Sequence, residues 1–332
     1  MPVRFVAFTW ASVFALLAAT LLPVWAQAAP PKVAASIKPV QALVKAVMGP
    51  LGTPELIVPA TTSPHVFALK PSQAKALSNT DMIFWIGPGL ETALAGPLDA
   101  LSKEARVVQL LKTPGLDLIA YGDDEDKHGH DEHGHAGHHD HGEVDPHIWL
   151  SPKNALIIVD AIRDEMIAAD PPNATEYTKN AKQARQRINI LIRKTEDFTS
   201  VMRETPYLVQ HDGFAYLARD FGLNEAGHIQ TTPGREPGAK HVAMVLDQIR
   251  EKDVKCLFHE TQFSPKLARQ LGKETGVGLR EIDPIGADLS LSVTTYVRLV
   301  QSIIVQMESC LYRGKSGNVP KVPLEGLKRP ET

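Results

Sequence analysis

Four residues carry metal-binding side chains at the ends of apolar, strand-like runs. His65 follows "PELIVP" by a few residues, His147 stands in "VDPHIWLSP", His211 directly follows "YLVQ", and Asp283 ends "VGLREI". The pair His259 and Glu260 ends a further such run, "VKCLF". The intervals between the first four are 82, 64 and 72 residues, with no local pair of the HExxH kind. Taken singly, a histidine at a strand end is more often a surface or capping residue, and Asp before Pro is an ordinary turn start. Taken together, three imidazoles and one carboxylate or water suit Zn²⁺, which takes four-coordinate N/O sites, better than Mn²⁺ or Mg²⁺, which prefer more oxygens. Three histidines and a water are also a hydrolytic arrangement. A hydrolase would need a general base, and Glu260 is the one carboxylate suitably placed for that role.

A second feature raises the joint weight of these positions. The tract "DDEDKHGHDEHGHAGHHDHGE", residues 123–143, holds seven of the thirteen histidines (His128, His130, His133, His135, His138, His139 and His141), eight acids, one lysine and a single apolar side chain, Ala136. Its net charge is −7, which leaves +4 on the rest of a chain whose total is −3. With nothing apolar to bury, it is expected to be a solvated loop. Near pH 7 its imidazoles are largely neutral and bind Zn²⁺ weakly, while its carboxylates attract the cation. It ends four residues before His147, so it is placed to collect zinc for the cleft; a sensing role and an unselected polar spacer are the alternatives.

Elements that could position these residues alternate along the chain. "KVAASI", "PELIVP" and "DMIFWIG" read as strands, with helices at "PVQALVKAVMG" and "KPSQAKALSNT" between them. After the tract come "NALIIVDAIRDEMIAAD", stopped by Pro171-Pro172, and a long helical pattern from Ala174 to about Glu204 that contains neither Gly nor Pro. At 1.5 Å per residue that pattern would extend about 46 Å. A second alternating set follows, with strands "YLVQ", "VKCLFHE" and "VGLREID" and helices "GFAYLARDFG", "HVAMVLDQIREKD", "SPKLARQLGKETG" and "VTTYVRLVQSIIVQMESCLYR". Strands separated by helices imply parallel sheets, and ligands bind beyond the carboxyl ends of such strands. The expected architecture is α/β, with two lobes, each a parallel sheet flanked by helices, joined by one long helix. The boundaries are 29–172 for the first lobe, 173–205 for the linker, 206–313 for the second lobe and 314–332 for a polar, disordered tail.

Composition sets the compartment. Residues 1–28 combine an early Arg, an apolar run from Phe5 to Leu22 and a small-x-small site at Ala26-Gln27-Ala28, the pattern of a secretory signal peptide cut after about Ala28. The two cysteines, Cys256 and Cys310, suit an oxidising compartment. A bridge between them would add about 4 kcal/mol in the chain-entropy model; two buried free thiols are the alternative. No Lys/Arg stripe interleaved with aromatics is present, which argues against a nucleic-acid partner.

Several segments together resemble one family closely: "SPHVFALKPSQAKAL", "DMIFWIGPGLE", the His/Asp tract, "DPHIWLSP", "QHDGFAYLARDFGL", "HIQTTPGREPGAKH", "ETQFSPKLARQL" and "EIDPIGADL". The chain is similar to the periplasmic zinc-binding components of high-affinity zinc uptake ABC transporters, within the metal-binding solute-binding proteins that have a rigid helical linker. The resemblance implies that His65, His147 and His211 are the histidine ligands of Zn²⁺, that Asp283 holds the carboxylate position and that Cys256 and Cys310 form a disulfide. It also implies a weaker second site involving the tract and His228, a monomer, no enzymatic activity, and a membrane permease as partner. Two departures stand out. Pro64 occupies a position where some members have an acid, and His259 stands where a small residue is expected. Alternation along the strand favours His259 facing away from the cleft if Glu260 faces it.

Overall fold

The computed structural model describes residues 29–101, 104–120 and 144–312. The signal segment, the 123–143 tract with its seven histidines, and the 314–332 tail lie outside the described residues.

The first sheet contains β1 (Val33–Ala35), β2 (Glu55–Leu56), β3 (Met82–Trp85) and β4 (Arg106–Gln109), all parallel, in the order β2-β1-β3-β4. Its helices are α1 (Lys38–Met48), α2 (Pro71–Leu77), α3 (Thr92–Leu101) and α4 (Pro152–Ala169). β3 is buried throughout, as its unbroken apolar run "MIFW" requires of a strand covered on both faces. α4 starts where Ser151 caps it, its side chain accepting from Asn154 N–H, with Pro152 in the first turn. The carboxylate of Glu91 is buried beyond β3, where it accepts from the N–H groups of Ile86 and Gly87.

The second sheet repeats the topology. β5 (Tyr207–His211), β6 (Glu225–Gln230), β7 (Cys256–Glu260) and β8 (Gly278–Ile282) run parallel in the order β6-β5-β7-β8. They alternate with α6 (Ala215–Phe221), α7 (Ala239–Glu251) and α8 (Lys266–Thr275), and α9 (Thr295–Leu311) closes the lobe. A disulfide joins Cys256 on β7 to Cys310 on α9.

Between the lobes runs α5 (Ala174–Thr199), 26 residues long. It packs against α1 and α4 of the first lobe and α9 of the second. The helix is shorter than its pattern suggested, because the chain turns from Ser200 onward, before Pro206. One apolar cluster runs through both lobes, from Val33 on β1 through Leu191 on α5 to Ile303 on α9. A smaller one fills the space between the second sheet and α7 and α8. Polar ties cross the same boundary. Trp149 Nε1 donates to Pro284 O at 3.0 Å, Tyr296 Oη to Trp149 O at 2.8 Å, and Lys38 Nζ to Ala287 O at 2.8 Å.

Three elements escaped the sequence reading. β4 and β6 are edge strands, half-exposed and carrying polar or glycine residues, so their apolar signal is weak. α3 holds Pro97 in its interior, a residue that argues against a helix in sequence.

Candidate metal centre

The carboxyl ends of the two sheets face one another, and three histidines meet there. His65 lies in the irregular segment between β2 and α2, shaped by turns in which Thr62 N–H donates to Pro59 O and Val66 N–H to Ser63 O. His147 sits in the turn before the buried Ile148-Trp149-Leu150 segment. His211 is the last residue of β5. One ring nitrogen from each lies within 4.8 Å of the other two. His147 Nε2 is 3.0 Å from His65 Nε2 and 3.2 Å from His211 Nε2. Two nitrogens on a tetrahedral Zn²⁺ stand about 3.3 Å apart, given Zn–N bonds of about 2.0–2.1 Å, so the spacing matches a shared ion.

The orientation of two rings is set from behind. His147 Nδ1 is 2.6 Å from Asp145 Oδ1, and His211 Nδ1 is 2.5 Å from Glu260 Oε1. A carboxylate only accepts, so each Nδ1 carries the proton and each Nε2 turns its lone pair into the cleft. Asp145 is further held by His147 N–H at 2.9 Å. Both acids are 2% exposed. Burial pushes the Asp145 carboxyl up to about 7, against the His147 N–H and the charges of His211 and Arg219, which pull it down. For His211, burial acts downward, but the charge and hydrogen bond of Glu260, with the charges of Asp145 and Asp212, hold it above the usual imidazole value. A dication on the imidazoles would favour the ionised carboxylates.

Apolar walls close the rest. Trp149, Phe214, Phe263 and Ile285 line the cleft with the three rings. Gly213 leaves the central space open, since a Cβ there would lie 2.9 Å from His211 Nε2 and 3.2 Å from His147 Nε2.

The remaining candidates fall elsewhere. Asp283 does not join the histidine group. Its Oδ1 accepts from Gln262 Nε2 at 2.9 Å, Ile285 N–H at 3.0 Å and Gly286 N–H at 2.8 Å, and its Oδ2 accepts from Ala287 N–H at 2.6 Å. Asp283, expected at the carboxylate ligand position, here holds the Asp-Pro turn together, and that turn lies beside the cleft. Glu260 faces the cleft but touches His211 instead of the shared space. As a general base it is already committed to that imidazole. His259 is buried and points to the other face of β7, by strand alternation. Burial lowers its pKa, against the opposing pull of Glu281. His228, on β6 opposite Val209, also lies outside the group. Sequence reasoning missed Asp145; its signal was its place two residues before His147 in "DPH". The chain on either side of the tract meets at an Ala120–Val144 bridge, and Asp145 N–H donates to Ile119 O at 2.8 Å.

Two lobes of identical sheet order with a histidine centre between their strand ends define a two-lobed metal-binding protein. The chain belongs to the family described as "Zinc-uptake complex component A periplasmic", which matches residues 33–310. It is 34% identical over 313 residues to the high-affinity zinc uptake system protein ZnuA of Brucella abortus (strain 2308), covering 84% of this chain and 91% of that one. The Yersinia pestis protein of the same name is 29% identical over 288 residues, with 84% and 91% covered. Among solved structures, a crystal structure of ZnuA superposes with a TM-score of 0.69 at 25% identity, covering 83% of this chain and 99% of the other. The periplasmic zinc binding protein TroA of Treponema pallidum, at 20% identity and a TM-score of 0.71 over 85% of this chain and 99% of its own, shares the fold.

Proposed function

We propose that this chain captures Zn²⁺ between its lobes, at His65, His147 and His211, and delivers it to the membrane permease of an ABC importer. It is a solute-binding component of zinc uptake and not an enzyme. The observation that carries the reading is the convergence of three ring nitrogens, two of them oriented by buried carboxylates, at the mouth of two sheets. The relatives' names, as zinc uptake system proteins, support the same cargo. The fourth position goes to water or to Asp283, which would first have to release the donors of its own turn. In this reading the mature chain begins near Ala29, works as a monomer in the periplasm, and uses the 123–143 tract to gather zinc loosely beside His147. Its lobes are residues 29–172 and 206–313, with 173–205 linking them.

The test is a zinc titration with competing chelators and competing Mn²⁺ on the mature chain and on a chain lacking 123–143. One tight site should persist in both, and the weak ions should disappear with the tract, because none of the three ligands lies within it. Loss of the tight site with the tract would make the tract part of the primary site. Many tight ions per chain would favour storage over uptake. Asp283→Ala should weaken zinc less than loss of a histidine, since water can replace an oxygen ligand.

A further inference from the structure

The three histidines are neutral ligands, so an ion bound by them alone would bring its full charge into a site where His147 is 3% and His211 5% exposed. Buried charge of that kind is strongly disfavoured unless something compensates it. Two carboxylates stand directly behind the rings: Asp145, 2.6 Å from His147 Nδ1, and Glu260, 2.5 Å from His211 Nδ1. Each lobe supplies one such pair. Asp145 and His147 come from the turn preceding α4, Glu260 and His211 from the neighbouring strand ends of β7 and β5. A further detail concerns Asp145. Its Oδ2 is buried and has no hydrogen-bond partner among the described residues. A buried carboxylate oxygen without a donor requires another source of stabilisation, and a cation on the far side of the imidazole supplies one. Asp283 differs, because four donors already satisfy it.

We infer that Asp145 and Glu260 are the charge-balancing and positioning residues of the zinc site: together they match the two charges of Zn²⁺ through His147 and His211 and so set a preference for a doubly over a singly charged ion. The inference rests on the proposed zinc reading and adds to it the residues that select the ion's charge. Orientation by itself would serve any metal that favours imidazole; a carboxylate in direct contact with each of two ligand rings favours a dication.

The experiment uses the mature chain and its Asp145→Asn, Glu260→Gln and doubly substituted forms. Each amide retains an oxygen that accepts the Nδ1 proton and removes one charge. Affinities for Zn²⁺, and for Cu⁺ under anaerobic ascorbate, are measured by competition, and the visible spectrum of bound Co²⁺ reports geometry. Each single substitution should weaken Zn²⁺ on the order of 10–100-fold, the double substitution further, while Cu⁺ changes no more than about threefold and Co²⁺ keeps its tetrahedral bands, since the ligand set is untouched. Equal losses for both ions would mean orientation only and would overturn the charge assignment. Unchanged Zn²⁺ affinity would overturn the whole inference. Should an amide variant fail to fold by circular dichroism, the charge-retaining Asp145→Glu and Glu260→Asp forms decide: Zn²⁺ affinity no closer to that of the parent than to that of the histidine variants overturns it. A parent chain without tight zinc binding would sink the proposed function itself, and this inference with it.

Discussion

The two lobes share a sheet order, β2-β1-β3-β4 and β6-β5-β7-β8, yet they present their ligands differently. The second lobe offers His211 from the end of a fully buried strand, locked to Glu260 on the adjacent strand. The first offers His147 from a turn anchored across the lobe boundary by Trp149, and His65 from an irregular segment that is only half-buried. That segment touches the second lobe through Gln262 Nε2, which donates to Ala60 O at 3.2 Å. Its Val66 is 56% exposed. The same topology thus yields one strand-borne ligand in the second lobe and two ligands borne by a turn and an irregular segment in the first. Strand-borne ligands are the more tightly preorganised, while loop-borne ones sit where local opening is easiest. The covalent constraint is equally one-sided, since the disulfide belongs to the second lobe.

The largest test of this contrast is a pair of substitutions. His211→Ala and His65→Ala should each weaken Zn²⁺ on the order of 1000-fold, about 4 kcal/mol, as losses of direct ligands. Their effects without metal should diverge. His211→Ala leaves Glu260 buried without its partner and should destabilise the metal-free protein by about 1–3 kcal/mol. His65→Ala should remain within about 0.5 kcal/mol of the parent. Chelator competition and thermal melting read the two effects, and equal melting shifts would break the comparison.

Replacing both cysteines by serine should remove about 4 kcal/mol, the chain-entropy value for a crosslink across this separation. The loss should appear in the second lobe, as faster amide exchange in β7, β8 and α9 than in β1 and β3. Uniform loss of protection would show that the lobes unfold as one unit.

The smallest effect lies in the first lobe. Burial pushes the Glu91 carboxyl up to about 7, against the hydrogen bonds it accepts from the backbone N–H groups of Gly87 and Ile86. The folded state therefore holds this proton more tightly than the unfolded chain does. The corresponding stability is fully present below about pH 4.5 and is lost as pH rises through about 7, an upper bound of about 3 kcal/mol. Glu91→Gln should flatten that part of the pH profile and be the more stable form at pH 8, as measured by denaturant unfolding across pH. An unchanged profile would remove Glu91 as its source.

Much of the architecture was legible in the residues themselves. Apolar runs such as "MIFW" and "CLF" specify buried parallel strands, and the long uninterrupted pattern after Ala174 specifies the connecting helix, although not its end at Thr199. β4 and β6 were not legible, because their polar and glycine residues leave only a weak apolar run. Residue type also pointed to His65, His147 and His211, and chemistry pointed to the metal they suit. The family resemblance, and not spacing, singled these three out and paired Cys256 with Cys310. What only the tertiary structure decided is direction. Glu260 turns to His211 and His259 away from it because neighbours on a strand face opposite sides. Asp283 spends its lone pairs on three backbone N–H groups and Gln262. Asp145, silent in the sequence, becomes the partner of His147 because the turn folds its carboxylate back onto the ring. Local sequence sets which groups are available. Whether a lone pair meets a metal, a proton or a backbone amide depends on contacts between residues far apart in the chain, such as His65 and His147 at 82 positions, and packing alone brings those together.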